Sequence, residues 1–240
     1  MLNEEKTNLK LFCFPFGGAG VSVYSAWEEF FDENVEVVPM QLPGRERLID
    51  EDPYTDLHKA ADDFADFIKK EYSGNTVAFF GHCFLGSVLS FEVIKRLKDC
   101  KDIDVKYLFV SAAFTPTSNR EYGLDLNDDD KLIAGVEKLT GFKNAAFAIE
   151  EFRELLWPGF KADFEMDINY KPEGNDVIDV PIRAMYAEND TFVAKEEVEL
   201  WSKFTTKDFK LFKVSGEHLY ICDNPQETID IIKDCIEGIN

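Results

Sequence analysis

Six short apolar runs alternate with helical periods along this chain, and that alternation limits the fold more than any other feature. The runs LKLFCFPF (9–16), VEVVPM (35–40), TVAFFG (76–81), VKYLFVS (105–111), VPIRAMYAE (180–188) and FKLFKVSG (209–216) are rich in β-branched and aromatic residues and read as strands. Between them, TDLHKAADDFADFIKKEY places Leu57, Ala61, Phe64, Ala65 and Ile68 on one stripe behind a Thr/Asp cap. GSVLSFEVIKRLKDC is a second helical period, and NPQETIDIIKDCIEGI closes the chain with Pro225 just inside a helix start. Strands that are apolar throughout need cover on both faces. The expectation is therefore an α/β fold, a mostly parallel sheet flanked by helices, with sites at the carboxyl ends of its strands. Residues 117–176 contain helical pieces and no convincing strand, so this stretch is expected to be a helical lid inserted over the site. At 240 residues the chain suits one domain, 1–240, carrying that lid.

The stretch FFGHCFLGS (79–87) follows the third run and precedes a helix. It nearly spells G-x-S-x-G, the strand-turn-helix motif that exposes the nucleophile in α/β-hydrolases. Cys83 stands where the serine belongs, Leu85 where the second glycine belongs, and Gly86 comes one place late. A sulfur at that position sits at a helix N-terminus, where the dipole favours thiolate. A lone cysteine is ordinarily a buried apolar filler; the strand and the FFGHC context reverse that reading here.

Acyl chemistry at Cys83 needs a base, an orienting acid and donors for an oxyanion. Of three histidines, His58 lies in an amphipathic helix among acidic neighbours and reads as an ordinary surface residue. His82 adjoins Cys83 and cannot readily turn back on it, so His218, in SGEHLYI after the last strand, is the base by elimination and position. Asp190, in YAENDTF after the fifth strand, completes the order nucleophile, acid, histidine. An aspartate in such a turn is also a common helix cap, and both roles stay open. The loop FPFGGAG lacks the lysine of a P-loop and the spacing G-x-G-x-x-G. It is better read as half of an oxyanion hole, with donors from the N–H of Phe16 or Gly17 and from Phe84, the residue after the nucleophile.

Composition removes other classes. Twenty-six basic residues against 47 acidic ones give a net charge of −21, which repels nucleic acid and anionic lipid. Five scattered cysteines form no CxxC pair, so neither a disulfide framework nor a metal site is suggested, and the four besides Cys83 are expected to be inert. No apolar run reaches the ~20 residues of a membrane span, and MLNEEKTNLK lacks the layout of a secretory signal. A cytoplasmic monomer is expected.

With these pieces in place, the chain resembles the type II thioesterases of nonribosomal peptide and polyketide synthesis over nearly its whole length. The resemblance rests on FCFPFGGAG with SVYSAW, VVPMQLPGRERL, FFGHC with SFEVIKRL, LFVSAAFTP, LLWPGFKADFEMDINY and GEHLYI. QLPGRE and ADFEMDINY have no evident reason in generic hydrolase chemistry, so their joint presence is specific. The resemblance implies a standalone α/β-hydrolase with a lid. It would clear acyl or peptidyl groups from the phosphopantetheine arm of a carrier protein, with no cofactor of its own, using Cys83 as nucleophile, Asp190 as acid and His218 as base.

Three departures matter. Phe16 replaces a histidine common in the family, sulfur replaces oxygen, and the helix register leaves one extra residue near Phe84. Either Phe84 follows a functional Cys83 and is absorbed as a bulge in the first helical turn, or Phe84 takes the nucleophile position itself. The first is favoured, because cysteine is the natural replacement that keeps nucleophilicity; Leu85 then implies a reshaped pocket.

Three functions follow from this reading: hydrolysis of thioesters through an acyl-Cys, transfer of that acyl group to an amine, and acyl binding without turnover. Phe142, Phe147, Phe152, Leu155, Leu156 and Phe160 are expected to line the acyl site or to hold the lid together. Docking of an acidic carrier to so acidic a protein requires a local basic patch, for which Arg45, Arg47, Lys143, Arg153 and Lys161 are candidates. The alternative for Arg45 and Arg47 is that they brace their own loop.

Overall fold

The computed structural model describes residues 9–120, 122–174 and 177–237. The N-terminal stretch considered for a signal, the last residues of the closing helical pattern, and positions 121, 175 and 176 of the proposed lid lie outside them. The six apolar runs form six strands: β1 (Leu9–Phe14), β2 (Val35–Pro39), β3 (Thr76–His82), β4 (Asp104–Ser111), β5 (Ile182–Ala187) and β6 (Phe209–Val214). All pair in parallel, in the order β2-β1-β3-β4-β5-β6. The helices are α1 (Leu57–Glu71), α2 (Cys83–Leu97), α3 (Asp129–Thr140), α4 (Glu150–Asn169), α5 (Lys195–Glu199), α6 (Tyr220–Asp223) and α7 (Gln226–Ile236). Among the described residues no helix is long and apolar enough to cross a membrane.

The chain leaves β1 for β2 on one side and returns to β3 on the other, so the strand order reverses between β1 and β3. Such a switch point opens a crevice at the carboxyl ends of the two strands. Here those ends carry FPFGGAG and Cys83. The sheet is buried on both faces, with α1 and α2 over Phe12, Phe14 and Phe79, and α7 over Leu11, Ala78 and Phe80. In α1 the buried residues are Leu57, Ala60, Ala61, Ala65 and Ile68, with Phe64 only partly covered. Asp56 caps the helix by accepting from His58 and Lys59 N–H. His58 is not an ordinary surface residue. Its Nε2 lies 2.8 Å from the Lys171 carbonyl, Nδ1 is 3.7 Å from Glu92, and the ring packs on Tyr170. It links α1 to α2 and to the end of α4.

α3 and α4 both fall between β4 and β5, within the stretch expected to be a lid. Pro158 lies inside α4, where it removes one backbone donor. Phe160, Phe164, Leu132 and Val136 form a small core between the two helices, with Phe142, Phe147 and Trp157 packed on it.

Candidate active site

Cys83 begins α2 directly after β3 with φ +57°. A non-glycine residue held in the left-handed region is strained, and such strain collects where a side chain must be aimed. What makes the sharp turn feasible is close backbone approach. A Cβ on Gly81 would sit 2.2 Å from the Gly86 carbonyl oxygen, and one on Gly86 would sit 2.7 Å from that of Phe14. The displaced glycine of the motif is therefore the one that lets α2 lie against β3 and β1. The bulge expected in the first turn is absent, because α2 runs as an uninterrupted α-helix from Cys83. The structure puts Cys83 at the elbow and sends Phe84 into the core, its ring under the Arg120 guanidinium at 3.6 Å. Leu85, in place of the usual glycine, lines the space beside the sulfur.

Three strand ends bring the candidate triad together. His218 Nε2 lies 3.3 Å from Cys83 Sγ, and His218 Nδ1 lies 2.8 Å from Asp190 Oδ2. Asp190 fills both roles left open by the sequence. Its Oδ1 accepts from the N–H groups of Phe192 and Val193 at 2.7 and 2.9 Å, which fixes the turn, and its other oxygen holds the imidazole. Burial alone would lower the pKa of His218. Cys83 and Asp190, beside its two ring nitrogens, outweigh it and push the imidazole up to about 10, as negatively ionising neighbours in a dry site do.

His82 does not serve as base. Its Nδ1 is 2.8 Å from Ser111 Oγ, which also meets the Tyr220 hydroxyl. Burial and the neighbouring His218 keep its pKa well below the usual imidazole range, so it is neutral.

The glycine-rich loop is tied down from the opposite side. Gly18 N–H donates to Asp163 Oδ2 at 2.8 Å, while among the described residues the N–H groups of Phe16 and Gly17 donate to no protein acceptor. These two, with Phe84 N–H in the orphan first turn of α2, are the donors expected for an oxyanion. Asp163 also takes Arg45 through two bonds of 2.6 Å, from Nη1 to Oδ2 and from Nη2 to Oδ1. Glu46, next in the chain, accepts from the N–H groups of Val21 and Ser22. The PGRE loop thus joins the glycine loop to α4, which gives QLPGRE and ADFEMDINY a shared structural reason.

This corrects the expected docking patch. Arg45 is 7% exposed and both its terminal nitrogens are engaged, by Asp163 and the Ala19 and Gly159 carbonyls, so it braces the site and cannot greet a partner. Lys143 pairs with Glu137 and Arg153 with Asp130. The side chains of Arg47, exposed, and Lys161, half-buried, make no hydrogen bond or ion pair among the described residues.

Two spaces flank Phe16. A cleft of about 410 Å³ is lined by Phe142, Phe147, Leu156 and Phe160 of the expected set, together with Gly18, Arg45, Lys143 and Cys222. Beside Cys83 and His218 there is a chamber of only about 20 Å³, walled by Leu85, Val136, Thr140, Phe164, Asp167 and Leu219. Phe152 and Leu155 line neither space and are 51% and 50% exposed, which corrects their expected place. Burial along the α4 stripe fades from Phe164 and Phe160 through Leu156 to Phe152, because the first turn of the helix has run past its packing partners; Leu155 lies off that stripe. Val136, Thr140, Phe164 and Asp167 were not singled out by sequence reasoning. Phe164 and Asp167 lie in the ADFEMDINY stretch that carries the resemblance, but neither that nor the helical spacing of the four says what the face opposes.

The sequence profile of the family described as "Thioesterase domain" matches residues 9–236. The gramicidin S biosynthesis protein GrsT of Aneurinibacillus migulanus is 29% identical over 227 residues, covering 93% of this chain and 87% of that one. Among solved structures, RedJ, a thioesterase from the prodiginine pathway of Streptomyces coelicolor, superposes with a TM-score of 0.83 at 28% identity, covering 95% and 91% of the two chains. The type II thioesterase BorB from the borrelidin biosynthetic cluster gives a TM-score of 0.83 at 26% identity, covering 95% and 93%.

Proposed function

The chain belongs to the thioesterase family, and from that premise we propose that it hydrolyses acyl or peptidyl thioesters borne on the phosphopantetheine arm of a carrier protein, through an acyl-Cys83 intermediate. The observation that carries the proposal is the line Cys83–His218–Asp190 at the elbow of a hydrolase sheet. Similarity to GrsT, RedJ and BorB supports the substrate class, since their names tie them to gramicidin S, prodiginine and borrelidin biosynthesis and the last two to thioesterase activity. The protein would be a cytoplasmic, monomeric enzyme of one domain, with residues 117–176 as lid and no cofactor of its own.

In the forward direction the Cys83 proton rests on His218, whose charged form its neighbours favour, and the sulfur adds as thiolate to the thioester carbonyl. The oxyanion is met by the N–H groups of Phe16 or Gly17 and of Phe84. Collapse expels the pantetheine thiolate, which leaves with the proton from His218. Water then adds to the acyl-Cys, His218 accepts its proton, and the Cys83 thiol is restored as the carboxylic acid departs. Asp190 holds the imidazole tautomer with Nδ1–H facing it throughout. The cleft shares Phe16 with the chamber and is where the carrier's arm would lie.

Incubation with an acyl-carrier protein, read by intact mass and product analysis, tests this. Free acid and a transient acyl adduct on Cys83 are expected. An amide formed only with added amine would move the assignment to transfer, and no adduct and no acid would remove it.

A further inference from the structure

The chamber beside Cys83 contains a polar group that the mechanism above leaves unused. Asp167, on α4 and 6% exposed, lines the same 20 Å³ as Cys83 and His218. Its Oδ1 accepts from the Tyr122 hydroxyl at 3.4 Å and lies 3.3 Å from Arg120 Nε. Among the described residues its Oδ2 accepts no hydrogen bond. Arg120 is largely committed elsewhere, donating from Nη2 to the carbonyls of Asp167 and Tyr170 and stacking over Phe84.

The other polar side chains on the wall, outside Cys83 and His218, are spent. Thr140 Oγ1 donates to the Val136 carbonyl, and both oxygens of Asp163 serve Arg45. Phe16, Leu85, Val136, Phe164 and Leu219 make the rest of the wall apolar. Burial pushes the Asp167 carboxyl up to about 7 against the opposing pull of Arg120 and Tyr122, as expected of a desolvated carboxyl with acceptor capacity to spare.

An acyl group on Cys83 has to enter this space. A volume of about 20 Å³ admits roughly one water-sized group, so a group one or two bonds beyond the acyl carbonyl meets Asp167 at once. An alkyl group there would seal the free oxygen against carbon, and leaving a buried acceptor unpaired is what penalises the wrong substrate. An N–H or O–H at the same place would satisfy it. Resting on the thioesterase reading, we propose that Asp167 is a specificity-determining residue that selects acyl thioesters bearing an amino or hydroxyl group on the carbon next to the carbonyl, aminoacyl groups foremost, over unsubstituted alkyl acyl groups.

The test uses the full chain and three isosteric N-acetylcysteamine thioesters, propionyl, glycolyl and glycyl, with kcat/KM corrected for each compound's uncatalysed hydrolysis. The wild type should favour glycolyl and glycyl over propionyl by roughly 10- to 100-fold. Asp167→Ala should bring the three together, mainly by a gain on propionyl, and Asp167→Asn, which keeps an acceptor and the volume, should retain part of the preference if the alanine variant folds poorly. Glycyl above glycolyl would assign the preference to an ammonium, and equality would assign it to hydrogen bonding; either supports selection by Asp167. Equal corrected rates in the wild type, or a preference unchanged in both variants, would overturn this inference alone. No turnover of any of the three would remove the thioesterase reading and this inference together.

Discussion

Arg45 and Asp163, 118 residues apart in sequence, meet in a two-pronged ion pair at 2.6 Å on each arm, buried between the glycine-rich loop and α4. A pair of this kind contributes little net energy when intact, but breaking it strands a buried charge. Asp163→Asn should destabilise the protein by roughly 3–5 kcal/mol in chemical denaturation. It should also lower kcat more than it raises KM, because an amide with a single acceptor oxygen cannot hold Gly18 of the oxyanion loop and both arms of Arg45 at once. Wild-type stability in this variant would mean that the pair is ornamental.

Cysteine reactivity separates the elbow thiol from the rest. Cys222 is exposed and lines the cleft, so it is not the inert filler expected from the sequence, but burial of its sulfur pushes its pKa up to about 11. Reactivity follows the thiolate rather than exposure. Iodoacetamide at pH 7, followed by peptide mapping, should label Cys83 at least tenfold faster than Cys222, and His218→Ala should abolish the difference. Preferential labelling of Cys222 would argue against a Cys83–His218 pair.

The pH dependence of stability has a defined sign at His218. Its folded pKa of about 10 lies above the ordinary value of about 6.5. The stabilisation from its charge is therefore complete below about pH 6.5 and is lost as pH rises towards 10. Melting curves of wild type and His218→Gln should converge over that window. Curves that stay parallel would show that the imidazole is not held charged by its neighbours.

The chamber is set by α3 and α4. Phe164→Ala or Val136→Ala should enlarge it and raise kcat/KM for longer acyl chains relative to acetyl, whereas Phe152→Ala and Leu155→Ala, on the exposed side of α4, should leave chain-length preference alone. A length profile measured with N-acetylcysteamine thioesters decides this, and an unchanged profile in both chamber variants would move the acyl site elsewhere.

On the proposed reading, carrier docking would use Arg47 and Lys161, the two candidate cations whose side chains make no ion pair among the described residues. Reversing both to glutamate should raise KM severalfold for an acyl-carrier substrate and blunt its salt dependence, with no change for a small acyl thiol. Equal losses on both substrates would assign these side chains to the fold or the pocket.

The sequence by itself determined the layered frame and the line of the site. Strands show their burial by being apolar throughout, helices show one face by their period, and the elbow, the glycine loop, Asp190 and His218 each sit at the end of a local pattern, so their common edge follows from a parallel sheet. Tertiary structure alone decided what lies opposite each face. The sequence grouped Phe152 with Phe160 as apolar residues of the lid, yet only packing leaves the first exposed and the second buried. His58 read as surface until Lys171, Glu92 and Tyr170 closed on it. Arg45 read as a docking charge or a brace of its own loop until Asp163, more than a hundred residues on, took it. Asp167 carried no signal beyond its place in ADFEMDINY, because the worth of a carboxyl depends on which of its oxygens the surrounding chain leaves unfilled, and that is fixed by contacts distant in sequence.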